Sequence, residues 1–329
     1  MFKTLLQRWF ASALVALLAT GVSAAPATNP QDKPTQELQP LTLMLEWFVN
    51  PDHGPIIVAQ QLGYFAEEGV KVTIQEPADP DLPPRLVAAD NVDLAIYYQP
   101  NLTRAASENL PLAWVGTLIA TPLNGVIVLK NGSLKGLADL KGKSIGTSSD
   151  STEEATLDAL FKPYGFSHKD IKLVNVGWNL SAALMTGRVD ALMGAYRNFE
   201  LNSLKLHKRP GIIFPLEEHG IPPYDELIFI ANTESANKEA IRRFLHGVER
   251  GAQFIANNPD KAWEIFKNYK PRELDNELNR LAWHDTVPHF ALRPAAVDKG
   301  RYQRYAEFMK AYGEIKTLPD LNKMMLEVN

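Results

Sequence analysis

Four groups of side chains in this sequence could meet a ligand, and each stands where an apolar strand gives way to polar residues. Glu46, Trp47, Asn50 and His53 lie between a short apolar run at 41–45 and a helical stretch at 55–62 that Gly63 can close. Tyr97, Tyr98 and Gln99 follow the run VDLAIY at 92–97, Ser148 and Ser149 follow Gly146, and Tyr196 and Glu200 follow VDALM at 189–193. In open α/β sheets, ligands bind just outside the carboxyl ends of strands. Aromatic faces with a few hydrogen-bonding groups suit a flat heteroaromatic ligand held between rings. A carboxylate such as Glu200 can also pair with an amino group beside a ring nitrogen through two points, which a hydroxyl cannot.

Each residue has a plainer reading beside this one. Trp47 could be core. Tyr97 and Tyr98 are neighbours in a strand, so they point to opposite faces and one of them meets the ligand. His53, beside Asp52, either contacts ligand or is bonded to its own loop, and Arg197 is a surface ion-pair partner more often than a ligand contact. The run Ser151-Thr152-Glu153-Glu154 fits a capping box. Its two glutamates occupy the positive end of the helix and would repel an anion, leaving Ser148 or Ser149 to donate to a neutral ligand. The histidines do not cluster: His284 and His289 flank a proline with no helical HxxxH spacing, so no metal is expected. GxSxG, P-loop and strand-linked GxGxxG patterns are missing, and no cofactor is expected.

The elements that must position these residues repeat. Strand-like runs at 41–45, 70–74 and 92–97 alternate with helical stretches, giving β-α-β-α-β and a parallel sheet covered by helices. The same order recurs with strands at 144–146, 171–176 and 189–193, and Val92-Asp93 and Val189-Asp190 occupy equivalent places. Two similar α/β lobes follow, 41–124 with 226–329 and 125–225. The apolar strands at 125–129 and 226–230 are expected to carry the chain across and back, forming a hinge. From Lys238 onward the pattern is helical, and these helices are expected to return to the first lobe.

At 329 residues the chain is long enough for two cores, and a formal charge of −4 gives no basic excess for nucleic acid. Lys3 and Arg8 lead into the apolar run at 9–22, which ends in Val22-Ser23-Ala24-Ala25. That is a secretory signal peptide over 1–24, and its loss would take the charge from −4 to −6. Residues 25–40, rich in Pro, Thr, Gln and Asn, read as a disordered start to the mature chain. The absence of cysteine removes disulfides, N-terminal cysteine lipidation and thiol chemistry. A soluble exported monomer is the expectation, periplasmic in a bacterium with an outer membrane.

The segment LEWFVNPDHGPIIVAQQLGYFAEEGVKV resembles the opening of the NMT1/THI5-like periplasmic binding proteins. The segments LKGKSIGTSSDSTEEATLDALF and VDALMGAYRNFE are similar to the same family's second lobe. The resemblance spans nearly the whole mature chain. It implies a type II two-lobed binding-protein fold and the substrate-binding component of an ABC importer, working with an inner-membrane permease. Trp47, Asn50, His53 and the stretch from Gly194 to Glu200 are most similar to the branch that binds thiamine pyrimidine precursors, formylaminopyrimidine or hydroxymethylpyrimidine. The resemblance then implies that Trp47 and a tyrosine stack on the pyrimidine and that Glu200 takes its amino edge. Where that branch has Gly-Gly-Tyr, this chain has Gly194-Ala195-Tyr196. Enzymatic relatives, the eukaryotic pyrimidine synthases, consume a histidine and carry a cysteine-rich motif. This chain has no cysteine, so the resemblance implies a binding protein.

Overall fold

Ten strands carry the chain in order: β1 (Gln39–Met44), β2 (Val70–Gln75), β3 (Leu94–Tyr97), β4 (Leu112–Ile119), β5 (Asn124–Leu129), β6 (Ser144–Thr147), β7 (Lys172–Asn175), β8 (Ala191–Tyr196), β9 (Gly211–Pro215) and β10 (Leu227–Asn232). The computed structural model describes residues 37–148 and 154–328. The signal peptide, most of the stretch at 25–40, Ser149 and the capping box at 151–154 lie outside the described residues, save Glu154 itself, which opens a helix.

The strands form two five-stranded sheets of one pattern, β2-β1-β3-β10-β4 and β7-β6-β8-β5-β9. In each, the first three positions are parallel and the last two pairings are antiparallel. The equivalence of Asp93 and Asp190 has an atomic basis. Thr42 N–H donates to Asp93 (2.7 Å) and Ser144 N–H donates to Asp190 (2.8 Å). Each aspartate thus takes the N–H that its sheet's first strand turns toward the third strand, one residue before their pairing begins. The same logic admits Pro40. Gln39 N–H points toward the β2 side, so position 40 faces the β3 side, where β3 does not reach and no donor is needed. β1 therefore begins at Gln39, inside the stretch expected to be disordered.

The chain passes between the sheets through 120–123 and again through 216–226. The strands expected at these passages are β5 and β10, and each is inserted as the fourth strand of the sheet on which it arrives. β4 and β9 were not visible as strands in the sequence. β4 is buried on both faces, so its residues run LAWVGTLI with no alternation to read.

Each sheet has a core on both faces. One face of the first sheet is covered by the helices Gly54–Gln61 and Lys238–Asn257, the latter burying a stripe through Ile241, Phe244, Val248 and Ile255. A Cβ at Gly251 would stand 2.1 Å from the Pro55 carbonyl oxygen, so only glycine lets the long helix lie against the backbone that follows the Glu46–His53 segment. The C-terminal helices were expected to return to the first lobe, and the long helix Lys238–Asn257 packs there. The helix Lys299–Ala311, however, serves both sheets: Tyr302 joins a first-sheet core, whereas Tyr305 and Met309 join a second-sheet core.

Candidate functional site

β1 ends at Met44, and the next residues build a closed knot of hydrogen bonds. Asn50 caps the 3-10 turn Pro51–His53: its side chain accepts Asp52 N–H (2.8 Å), while its own N–H donates to His53 Nδ1 (3.1 Å). With Nδ1 accepting, the ring carries its proton on Nε2, which lies 3.1 Å from both Glu46 oxygens. Burial disfavours the imidazolium, but the charge and hydrogen bond of Glu46 outweigh it and hold His53 above its ordinary value. His53 is fully buried behind Glu46 and does not line the cleft. Of the two readings open for it, the structure places it in its own loop.

β3 ends at Tyr97, and Tyr98 is the N-cap residue of the helix that follows. The two rings were expected to part so that one met the ligand, but the chain turns at Tyr98 and their centroids lie 5.9 Å apart. Tyr97 packs toward the core behind β3, near Asn101 and Arg104, and Tyr98 packs on the opposite core and meets the Tyr196 hydroxyl. The cleft wraps around the strand end, so both rings line it. Burial, with Glu46 and Glu226 nearby, pushes Tyr98 far above the ordinary tyrosine value, and burial and Glu226 do the same to Tyr196. Both stay neutral hydroxyls. Gln99 opens the helix Gln99–Ser107 and faces inward, its Oε1 accepting Asp225 N–H at 2.8 Å.

β8 carries a bulge opposite β5, where Gly194 adopts φ +74° and its N–H reaches Asn124 Oδ1 at 2.9 Å. The bulge turns Tyr196 toward the first sheet's core, and the helix Glu200–Leu206 then starts on Glu200. Tyr196 N–H donates to Glu200 Oε2 at 2.7 Å. Burial nevertheless pushes the Glu200 carboxyl up to about 7, with the Asp52 charge adding to it. Asp52 itself is raised to about 6, chiefly by burial.

These segments enclose a cleft of about 410 Å³. Glu46, Trp47, Asn50, Tyr97, Tyr98, Ser148, Tyr196 and Glu200 all line it. Sequence reasoning missed Asp52, Asn124 and Glu226. Glu226 accepts the N–H groups of Leu123 (2.6 Å) and Asn124 (3.0 Å), tying one passage between the sheets to the other. Arg197 holds the same passage from its far side, bonded to the Leu123 carbonyl (3.3 Å) and paired with Glu217. Across the cleft, Asn198 bonds Asp52 (2.5 Å) and Thr286 (2.6 Å), and Asn202 bonds Asp285 (2.7 Å). The carboxyl side chains lining the cleft are Glu46, Asp52, Asp81, Glu200 and Glu226 against a single guanidinium, that of the exposed Arg85. Such a surface repels anions and favours neutral or cationic ligands with N–H groups to give. Among the described residues no group of three or more His, Asp or Glu side chains is placed to hold a metal ion.

A family model described as NMT1/THI5 like matches residues 50–262. A Haemophilus influenzae protein whose name refers to thiamine biosynthesis is 48% identical over 295 residues, which is 90% of this chain and 94% of that one. The formylaminopyrimidine-binding protein of Halalkalibacterium halodurans is 33% identical over 232 residues, 70% of each chain. A 4-amino-5-hydroxymethyl-2-methylpyrimidine phosphate synthase of Legionella pneumophila is 29% identical over 285 residues, 84% of this chain and 89% of that one. Among solved structures, the alkanesulfonate-binding protein SsuA of Xanthomonas axonopodis superposes with a TM-score of 0.66 at 16% identity, covering 87% of this chain and 96% of that one. A Candida albicans protein described as having the generic periplasmic binding protein fold superposes with a TM-score of 0.69 at 18% identity, covering 89% and 97%.

Proposed function

The chain belongs to the NMT1/THI5-like family, and from that premise we propose that it captures a thiamine pyrimidine precursor, hydroxymethylpyrimidine or formylaminopyrimidine, for an ABC importer. The observation that carries this reading is the pairing of aromatic walls with an acidic lining in the cleft. An aminopyrimidine offers a flat face to Trp47 and Tyr98 and an N–H edge to Glu200. A sulfonate or a phosphorylated pyrimidine would bring negative charge against four or five carboxylates with one exposed guanidinium in reply. Glu200 meets the amino edge at two points: one oxygen accepts the amino N–H, and the other shares a proton with the adjacent ring nitrogen, which a carboxyl titrating at about 7 can supply. Ser148 and Asn124 lie close enough to the cleft to serve ring substituents.

In this reading residues 1–24 direct export to the periplasm and are removed, and the mature protein is a monomer that hands its ligand to an inner-membrane permease. The two sheets move as lobes, 41–124 with 226–298 against 125–225, and the helix Lys299–Ala311, which packs on cores of both, spans them. They hinge at the two passages that Glu226 ties together, and ligand closes them. No chemistry on the ligand is required. A second reading has one observation in its favour: a buried carboxylate titrating at about 7 is suited to general-base work, and relatives include synthases.

Native mass spectrometry of the protein purified from cells, followed by calorimetric titration, decides between them. Hydroxymethylpyrimidine, its formylamino analogue, thiamine, riboflavin and taurine form the panel. One-to-one, reversible binding of an aminopyrimidine recovered unchanged is the expected result. Binding of taurine without pyrimidine would overturn the ligand assignment, and conversion of the pyrimidine would make the protein an enzyme.

A further inference from the structure

The two sides of the cleft meet a second time, at its mouth, through three rings. Trp47 and Phe48 follow β1, and Trp178 stands between β7 and the helix Leu180–Met185 of the second sheet. The Trp178 ring centroid lies 4.2 Å from that of Trp47 at an interplanar angle of 78°, and 4.6 Å from that of Phe48 at 44°. Trp47 and Phe48 themselves meet edge to face at 5.6 Å. Trp47 lines the cleft, while Phe48 is 44% exposed, so the cluster runs from the cavity wall to solvent. Trp178 is partly exposed and covers Trp47 from outside.

The turn that presents Trp178 is built for the task. Gly177 adopts φ +54°, its N–H held by the Asn175 side chain at 2.8 Å, and Asn179 N–H closes on the Val176 carbonyl at 3.1 Å. Val176 N–H is anchored on the Thr147 carbonyl at 2.9 Å, beside Ser148 in the cleft. The indole is therefore carried on a stiff turn rooted in the second sheet, and its contacts are on the first.

We infer that Trp178 is a positioning residue for ligand retention: it clamps Trp47 in its cavity-facing orientation and closes the mouth, so that ligand leaves only when this clasp opens. The inference rests on the reading that the cleft holds a small ligand. Edge-on ring pairs add to stability beyond their buried area, and opening separates Trp178 from both partners. The loss of Trp178 then falls chiefly on dissociation, because the contacts between Trp47 and ligand that the clasp holds in place exist only in the complex, and changes within one binding site appear mostly in the off-rate.

The experiment compares wild type, Trp178→Ala and Trp178→Phe by stopped-flow binding of whichever panel pyrimidine the wild type takes, together with small-angle scattering of the ligand-free proteins. Trp178→Ala should speed dissociation about ten-fold or more, the scale of losing one or two ring pairs, and leave association within about two-fold. Trp178→Phe should recover most of the slow dissociation, and thermal midpoints should stay together. The scattering radius should grow for Trp178→Ala and not for Trp178→Phe. Unchanged dissociation in Trp178→Ala, or a loss explained by a lower thermal midpoint, overturns the clasp. If the wild type takes no pyrimidine, the functional reading fails by itself. The clasp is then judged on scattering alone, and equal radii for all three proteins overturn it.

Discussion

Glu46 and Glu200 occupy the same kind of place, a few residues past the carboxyl end of a strand on the wall of one cleft, yet their surroundings are opposite. Glu46 faces a histidine with both oxygens, and that histidine is itself fixed by Asn50 within a capped turn. Glu200 takes backbone N–H groups from Tyr196 and from its own residue, meets no side-chain partner of opposite charge among the described residues, and is left at about 7 by burial. The first carboxylate is spent on holding its segment in shape. The second is kept in a state that a partner bearing N–H groups would improve, which is how a preorganised binding group differs from a structural one.

The sharpest way to break this contrast is to delete each carboxylate and ask what is lost. Glu46→Ala leaves the fully buried His53 Nε2–H without its acceptor, and an orphaned buried donor costs about 1–3 kcal/mol. A matching fall in the urea midpoint is expected, and an unchanged midpoint would show that Glu46 is not structural. Glu200→Gln should leave the midpoint unaltered or raised at pH 8, since Gln still accepts Tyr196 N–H without a buried charge. It should weaken pyrimidine binding by about 1.5–3 kcal/mol, the worth of a hydrogen bond to a charged group, as read by calorimetry.

The pH dependence sharpens the comparison further. Asp52 and Glu200 titrate near 6 and 7 in the folded protein, against ordinary values of 3.8 and 4.5. A carboxyl raised by folding contributes stability that is full below its unfolded value and lost as pH rises through its folded value. The ligand-free protein should therefore lose stability between about pH 4 and pH 7, and Asp52→Asn with Glu200→Gln should flatten that loss in urea melts. A wild-type curve already flat over this window would contradict the raised values.

The smallest expected effect separates the tyrosine pair. Tyr98→Phe, which removes the hydroxyl that meets Tyr196, should loosen pyrimidine binding by about 1 kcal/mol. Tyr97→Phe, whose hydroxyl is bonded to Asn101, should stay within about 0.5 kcal/mol. Equal losses would mean that the ligand depends on both hydroxyls alike.

Much of the architecture was legible because it repeats. The Val-Asp pairs at 92–93 and 189–190 marked equivalent places, and each aspartate closes the same gap in its own sheet. The strands at 112–119 and 211–215 were not legible: one is buried on both faces and has no period, and the other is a short edge run ending in proline. Within the site, residues next to a recognisable strand end could be named. Trp178, Asn198 and Glu226 could not, because their roles depend on contacts with segments distant in sequence. His53 looked like a ligand contact because sequence gives its neighbours but not the direction of its ring.

The exchange of fourth strands has a consequence for how the molecule comes into being. The second sheet is assembled from one uninterrupted stretch, β5 through β9, whereas β3 and β4 are separated until β10 arrives from beyond that whole stretch. Closing long loops is entropically costly, and pairings between distant segments form slowly. The strands of the second sheet are thus free to pair early, one of its cores waiting for Tyr305 and Met309, while the first sheet stays incomplete until β10, about seven-tenths of the way along the chain, has been made. Pulse-labelled hydrogen exchange during refolding should protect the amides of β6 and β8 ahead of those of β1 and β3. A first sheet protected at the same moment would mean that β10 finds its slot before the intervening half is built.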